Sequence, residues 1–228
     1  MVEHIFPLGV NIMNTFFSNP AICKSYRTRL LQTFSGNGTV HTFKKKTIIQ
    51  YDGHELDYVY LIRSGCVKQY FLDEMGNIKT LLLLTAGDIF GEITVLQQDQ
   101  DKVSTCAITD TTLEKITAAT FFSLLGQSPA AYEAIMQMHS NKIRILMAQI
   151  QDAAFNSITE KLQNLLIRLA HQHGQPVEQG IKITYPFTHD ELAAMISSTR
   201  STVTKELNRL KKEQFITLDH HYIIVQNP

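Results

Sequence analysis

The chain has 228 residues, 44% hydrophobic and 18% charged, which is room for two small domains with their own cores and far from a disordered composition. Twenty-one basic residues balance twenty-one acidic ones, so no global charge announces a nucleic acid and any basic surface has to be local. Three dispersed cysteines, Cys23, Cys66 and Cys106, fit a reducing cytosol better than a disulfide framework and lack the closely spaced thiolates of an iron–sulfur cluster, so none is expected.

Residues 1–17 have no basic leader region and carry Glu3, so no signal peptide is expected. The longest apolar run, Ile78 to Ala86, is too short to span a bilayer, and the expected location is cytoplasmic with no membrane partner. From about Phe34 to Ile116 the pattern is all-β. Runs rich in β-branched and aromatic residues (Thr47–Tyr51, Tyr58–Ile62, Val67–Leu72, Lys79–Thr85, Ser104–Ile108) alternate with Gly53, Gly65, Gly76 and Gly87 at steps of 12, 11 and 11 residues. That spacing predicts a small antiparallel barrel or jelly roll. Asp73 to Asn77 is a hairpin turn in which Gly76 supplies a positive φ.

The period then changes. Ala118 to Leu125 is a short helix, and Ser128 caps a new one that starts at Pro129. Tyr132, Met136, His139, Ile143, Leu146, Ile150 and Ala153 step by four and three, the seam of a helix lying along another helix. Met136, His139, Ile143, Leu146 and Ile150 are the predicted dimer seam. A second stripe, Ile135, Met138, Ile145 and Met147, covers the mouth of the β domain. The competing reading is a single long core helix in a monomer. The run breaks near Phe155 to Ser157, and a further helix begins at Ile158 to Glu160, burying Ile158, Leu162, Leu165, Leu166 and Leu169. His171 to Gly180 is a polar loop, followed by a short strand at Ile181–Thr184. The expected division is a β-roll domain with flanking helices over residues 1–127, a dimerisation helix over 128–156 and a third part over 157–228.

The most informative stretch is Thr188 to Leu210. Thr188 and Glu191 fit a capping box at a helix start. Ser197–Thr199 is a tight turn, and Thr199 caps a second helix to about Lys212. In that helix Val203, Leu207 and Leu210 face inward, leaving Arg200, Ser201, Thr204, Lys205 and Asn208 outside. Between Thr199 and Lys212 five basic residues stand against one acidic, Glu206. Two apolar runs, Phe215–Leu218 and Tyr222–Val225, flank Asp219-His-His221 as a hairpin. Short helix, turn, basic helix and hairpin are the parts of a winged helix-turn-helix, whose second helix enters a major groove of double-stranded DNA. The competing reading is a helical core with a solvated basic face, and it leaves the hairpin without a purpose.

Tyr60 to Lys68, Asp73 to Gly76, Ala86-Gly-Asp-Ile-Phe-Gly-Glu92 and Thr188 to Leu210, in that order, resemble the Crp–Fnr family of bacterial regulators over nearly the whole chain. The resemblance implies an α+β protein: an N-terminal antiparallel β-roll of the cyclic-nucleotide-binding type, a long dimerisation helix and a C-terminal winged helix. It implies a homodimer, a near-palindromic operator, RNA polymerase as a further partner and a small-molecule effector. Arg200 falls where the family reads guanine, with Ser201, Thr204 and Lys205 as further base-readers. Thr188, His189, Thr199, Thr202 and Arg209 are candidates for backbone contacts. The effector pocket implied is Gly91, Glu92, Lys102, Val103, Leu146 and Met147. Lys102 stands where the family's phosphate-binding arginine belongs, and Val103 where its serine belongs. Valine has no hydroxyl to donate, and Leu146 and Met147 have nothing to bond an adenine edge, so the expected effector is not cyclic AMP. An apolar or aromatic acid meeting Lys102 suits these residues better. Effector binding is expected to alter seam packing and swing the DNA-binding parts about Phe155–Ser157.

His171, His173, His220 and His221 have no cysteine or carboxylate companions and are expected to be solvated or phosphate-facing, with no metal site. Cys66 and Cys106 are expected as small core residues, and a redox or haem role stays open. No nucleophile elbow, P-loop or metalloprotease motif occurs, which leaves an enzyme reading unsupported. Two alternatives remain: a sensor or protein-interaction module without DNA-binding activity, and a cyclic-nucleotide-responsive regulator.

Overall fold

The computed structural model describes residues 19–53 and 57–226, and the expectation about residues 1–17 lies outside the described residues. The chain divides into two compact units, Ala21–Ile143 and one containing Arg144–Pro228.

The first unit opens with α1 (Pro20–Phe34). Strands β1 (Thr39–Phe43), β2 (Ile48–Gln50), β3 (Tyr58–Ser64), β4 (Cys66–Leu72), β5 (Ile78–Thr85) and β6 (Ile89–Phe90) follow. Next come α2 (Glu92–Gln97), β7 (Ser104–Ala107), β8 (Thr111–Thr117), α3 (Ala118–Gln127) and the start of α4 (Pro129–Phe155). The strands form two antiparallel four-stranded sheets, ordered β1-β8-β3-β6 and β2-β7-β4-β5, so the roll expected from the glycine spacing is present. Gly76 has φ 85° in the β4–β5 turn. There the Asp73 carboxylate accepts from the Met75 and Asn77 amides at 2.9 and 2.8 Å, an Asx-type turn. Gly87 lets the backbone come so close to α1 that a Cβ would lie 2.5 Å from the Arg27 Cβ.

Helix α1 was not separately predicted, although Cys23, Tyr26, Leu30 and Phe34 recur on one face and are all buried. Phe34 stacks on Phe121 of α3 at 5.3 Å. Ala131, Ala134, Ile135 and Met138 of α4 complete the same core. One predicted flank of the long helix is therefore buried in its own unit. The other is not: Tyr132, Met136, Ile143 and Ile150 are between 55% and 69% exposed. Met147, assigned to the buried stripe, is exposed as well.

In the second unit α5 (Ile158–His173) starts from a capping box between Ser157 and Glu160. It continues through β9 (Gly174–Val177), β10 (Gly180–Ile183), α6 (His189–Ile196), α7 (Arg200–Lys212), β11 (Ile216–Asp219) and β12 (Tyr222–Gln226). The sheet order is β11-β12-β10-β9. The expected polar loop from His171 to Gly180 is thus corrected to the end of α5 and a hairpin strand. β9 hides in sequence because it holds Gly174 and Pro176, and the sheet accepts that proline because β9 is its edge. His173 is also corrected: it is buried, its ring centroid 5.4 Å from that of Tyr185 in an edge-to-face contact.

Candidate nucleic-acid interface and β-roll core

Helix α6 begins as the sequence predicts. The Glu191 amide donates to Thr188 Oγ1, and the Glu191 carboxylate accepts from the Thr188 amide at 2.7 Å. Ser197 adopts φ 53° to end it, and Thr199 Oγ1 accepts from the Thr202 amide to start α7. Val203, Leu207 and Leu210 are buried, which rotates Arg200, Ser201, Lys205 and Asn208 to the surface. Arg200 is 71% exposed, its Nε 3.8 Å from Asp190, a weak surface pair that a DNA base can displace. The one acid of α7, Glu206, turns away from that face and accepts from Thr159 Oγ1 of α5 at 2.7 Å.

The remaining predicted DNA-facing residues divide. Thr204 gives its proton to the Arg200 carbonyl at 2.9 Å, so the 2.7 Å contact with His189 requires His189 Nδ1 to be the donor. Both are half-buried, and Thr204 is a support for α6 against α7 more than an open reader. Arg209 donates to Glu213 at 2.7 Å on the surface. A groove of about 460 Å³ runs beside α7, with Leu207 and Ile216 in its lining and His189, Lys211, His220 and His221 around it.

In the β-roll unit, Gly91 has φ 85° and sets the start of α2, which puts Glu92 1% exposed. Glu92 Oε1 accepts from Lys142 Nζ at 2.6 Å and lies 3.1 Å from His139 Nε2. Lys142 Nζ also donates to the Ile89 carbonyl at 2.8 Å. Burial alone raises the Glu92 pKa, but the Lys142 charge and the hydrogen bonds from His139 and Lys142 outweigh it and hold the carboxyl at about 2. His139, expected in the dimer seam, is turned to Glu92. Lys142 was not singled out from sequence, yet a lysine one turn past Met138 on the buried stripe demands an acid partner.

Of the other predicted pocket residues, neither Lys102 nor Val103 pairs with Glu92. The Lys102 side chain is 71% exposed, 4.0 Å from Asp99. Half-buried Val103 donates its amide to Asp101. Leu146 and Met147 belong to the second unit. Nearby on α4, Asp152 forms a further cluster that sequence reasoning missed. It pairs with Arg168 at 2.8 Å and accepts from Asn156 and Asn164, each at 2.8 Å, with both charged side chains under 10% exposed. The cluster ties the α4–α5 elbow together. Among the described residues no group of three or more His, Cys, Asp or Glu forms a metal-binding set, and no helix is long and apolar enough to cross a membrane.

Residues 40–128 match the family described as Cyclic nucleotide-binding domain, and residues 160–228 the family described as Crp-like helix-turn-helix domain. The chain is 27% identical over 191 residues to the Global nitrogen regulator of Nostoc sp., covering 83% of this chain and 86% of that protein. It is 25% identical over 170 residues to the Cyclic AMP receptor protein of Thermus thermophilus, covering 75% and 76%. Among solved structures, a transcriptional regulator of the CRP/FNR family from Thermus thermophilus is similar with a TM-score of 0.67 at 26% identity, covering 83% of this chain and 94% of that one.

Proposed function

The chain belongs to the Crp–Fnr family of transcriptional regulators, and from that premise we propose that it reads a near-palindromic operator as a homodimer controlled by a small molecule other than cyclic AMP held in the β-roll. The observation that carries the DNA reading is the outer face of α7: Arg200, Ser201 and Lys205 exposed together, with Glu206 withdrawn. Arg200 donates two hydrogen bonds to a guanine edge, Lys205 reaches a guanine or a phosphate, and Ser201 reads a neighbouring position. Thr188, Thr199 and Thr202 at the two helix starts, with His189 and Arg209, hold the phosphate backbone. Two copies joined along the exposed stripe of α4 present two α7 helices to major grooves one turn, about 34 Å, apart. The bound dimer acts in the cytoplasm and has RNA polymerase as its further partner.

Two features support an effector other than cyclic AMP. A cyclic phosphate needs a close cation and a hydroxyl, whereas Lys102 stands in solvent and position 103 is valine. Glu92, carried over from the family pattern, already spends its carboxylate on Lys142 and His139.

The test selects an operator from a random duplex pool and measures affinity by fluorescence anisotropy across salt concentrations. Affinity falls steeply as salt rises. Arg200→Ala costs about 1–3 kcal/mol and relaxes one base pair in each half-site. An equal loss on every sequence removes Arg200 as a base-reader, and no salt-dependent binding removes the whole reading.

A further inference from the structure

The interior of the β-roll contains polar groups that find no partner among the described residues. Thr105 of β7 sits opposite Gln50 of β2 and, on its other side, Gln69 of β4, which in turn faces Leu82 of β5. Cross-strand partners share a face, and neighbouring strands lie about 4.8 Å apart, so Gln50, Thr105 and Gln69 form one row about 10 Å long. Thr80, across a bulge where β5 pairs with Tyr70, keeps the alternation that buries Leu82 and Leu84. That face belongs to the core: Val67, Ala107 and Leu84, the next row along, are 0–3% exposed. Gln50 is 5% exposed, Thr80 3% and Thr105 0%. Yet Gln50 Nε2 and Oε1, Thr80 Oγ1 and Thr105 Oγ1 have no hydrogen-bond partner among the described residues. Buried polar atoms in folded proteins almost always have partners, and an orphaned one calls for a ligand or trapped water.

The charges of the unit decide what kind of ligand. Asp88 is bonded by Arg27, Glu92 by Lys142, Glu114 by Arg63, and Asp101 by the Val103 amide. Each of these carboxylates has a partner inside the protein, and the open groups of this row are neutral: one amide and two hydroxyls, each able both to donate and to accept. A carboxylate or phosphate against this row would be an uncompensated buried charge. We propose that the Gln50–Thr105–Thr80 row is the specificity-determining subsite for the effector, and that it takes a small uncharged molecule with a paired donor and acceptor edge, a carboxamide or lactam. The proposal rests on the β-roll being the effector domain. It replaces the aromatic acid expected from Lys102, whose ammonium is at the surface.

The test uses the full-length protein and thermal denaturation. Nicotinamide, benzamide and uracil are titrated alongside their acid counterparts nicotinate, benzoate and orotate. At least one neutral probe raises Tm, by about 5–10 °C near a hundredfold excess over Kd, and its acid does not. Thr105→Val, by removing an unpaired hydroxyl, leaves the ligand-free Tm equal or higher and weakens the probe at least tenfold; Gln50→Leu weakens it likewise. Three results overturn the proposal: no neutral probe binds (the row then holds only water), the acids bind better, or both variants keep wild-type affinity. Operator affinity separates this failure from that of the gating reading. A neutral probe that binds through the row without changing operator affinity sinks gating alone. One that changes operator affinity equally in wild type and Thr105→Val sinks the subsite alone.

Discussion

Lys142→Met should be the most damaging single change in the β-roll unit that leaves its apolar core intact. Methionine matches the lysine stem in length, so packing along α4 is largely kept. The change deletes the 2.6 Å bond to Glu92 and the 2.8 Å bond to the Ile89 carbonyl. Glu92 is 1% exposed and retains His139 as its partner. Breaking a buried ion pair from one side costs about 3–5 kcal/mol, since the remaining charge stays desolvated. For a unit of this size that is a fall in Tm of about 10–20 °C. The double variant Glu92→Gln with Lys142→Met removes both charges and should recover most of the loss. The pH dependence gives a second check. In the wild type the Glu92 pKa lies below its ordinary 4.5, so its contribution is present above pH 4.5 and is lost as pH falls toward about 2. Without Lys142, burial acts with only His139 against it and the Glu92 pKa rises, so acidification protonates the stranded carboxylate and narrows the gap between variant and wild type. Calorimetry of the full-length protein from pH 7 down to about pH 2 follows both effects. A loss below about 1 kcal/mol, or a double variant no better than Lys142→Met, refutes the reasoning.

Two further outcomes follow from the same kind of geometry. Asp152→Ala leaves the buried Arg168 guanidinium and two asparagine amides without their acceptor, so urea denaturation of the second unit should show a loss of about 3–5 kcal/mol, with Asp152→Leu/Arg168→Met recovering most of it; a loss under about 1 kcal/mol removes the elbow cluster as a stabilising element. Ile143→Glu together with Ile150→Glu should convert the proposed dimer to monomer in sedimentation equilibrium and weaken operator binding, and a variant that stays dimeric places the interface elsewhere on the protein.

The winged helix was legible because its signals are local. Thr188 and Glu191 cap within one turn, Val203, Leu207 and Leu210 fix the rotation of α7, and Asp219-His-His221 separates two apolar runs. Strands β2, β3, β4, β5 and β7 were legible for a similar reason, since apolar runs and turn glycines alternate. β1 was not, because its residues are mostly exposed and show no alternation. β9 was not, because a proline in an edge strand looks like loop. The half-buried position of Thr204 and the withdrawal of Glu206 depend on His189 and Thr159, which no helical period relates to α7. Lys142 and Arg168 were missed on the same ground: a buried cation is explained only by its acid, and here Glu92 is fifty residues away on another element.

Glu92 shows why a role carried over by position has to be rechecked against partners. The Ala86-Gly-Asp-Ile-Phe-Gly-Glu92 segment reproduces a family backbone, with a left-handed Gly91 delivering the next residue to the interior. What the carboxylate does there depends on what meets it. In this chain Lys142 and His139 neutralise it from α4, so it fastens that helix to the roll. With the carboxylate engaged and Lys102 at the surface, the proposed subsite is left to the neutral groups of Gln50, Thr80 and Thr105. Hydrogen bonds from neutral groups discriminate by shape and by donor–acceptor order more than by charge, so selectivity in such a site should be sensitive to exchanging an amide for an acid and insensitive to ionic strength. The DNA face has the opposite character, being cationic and salt-sensitive. A salt titration should therefore separate the two proposed binding events on this one chain, weakening the operator complex while leaving affinity for a neutral ligand in place.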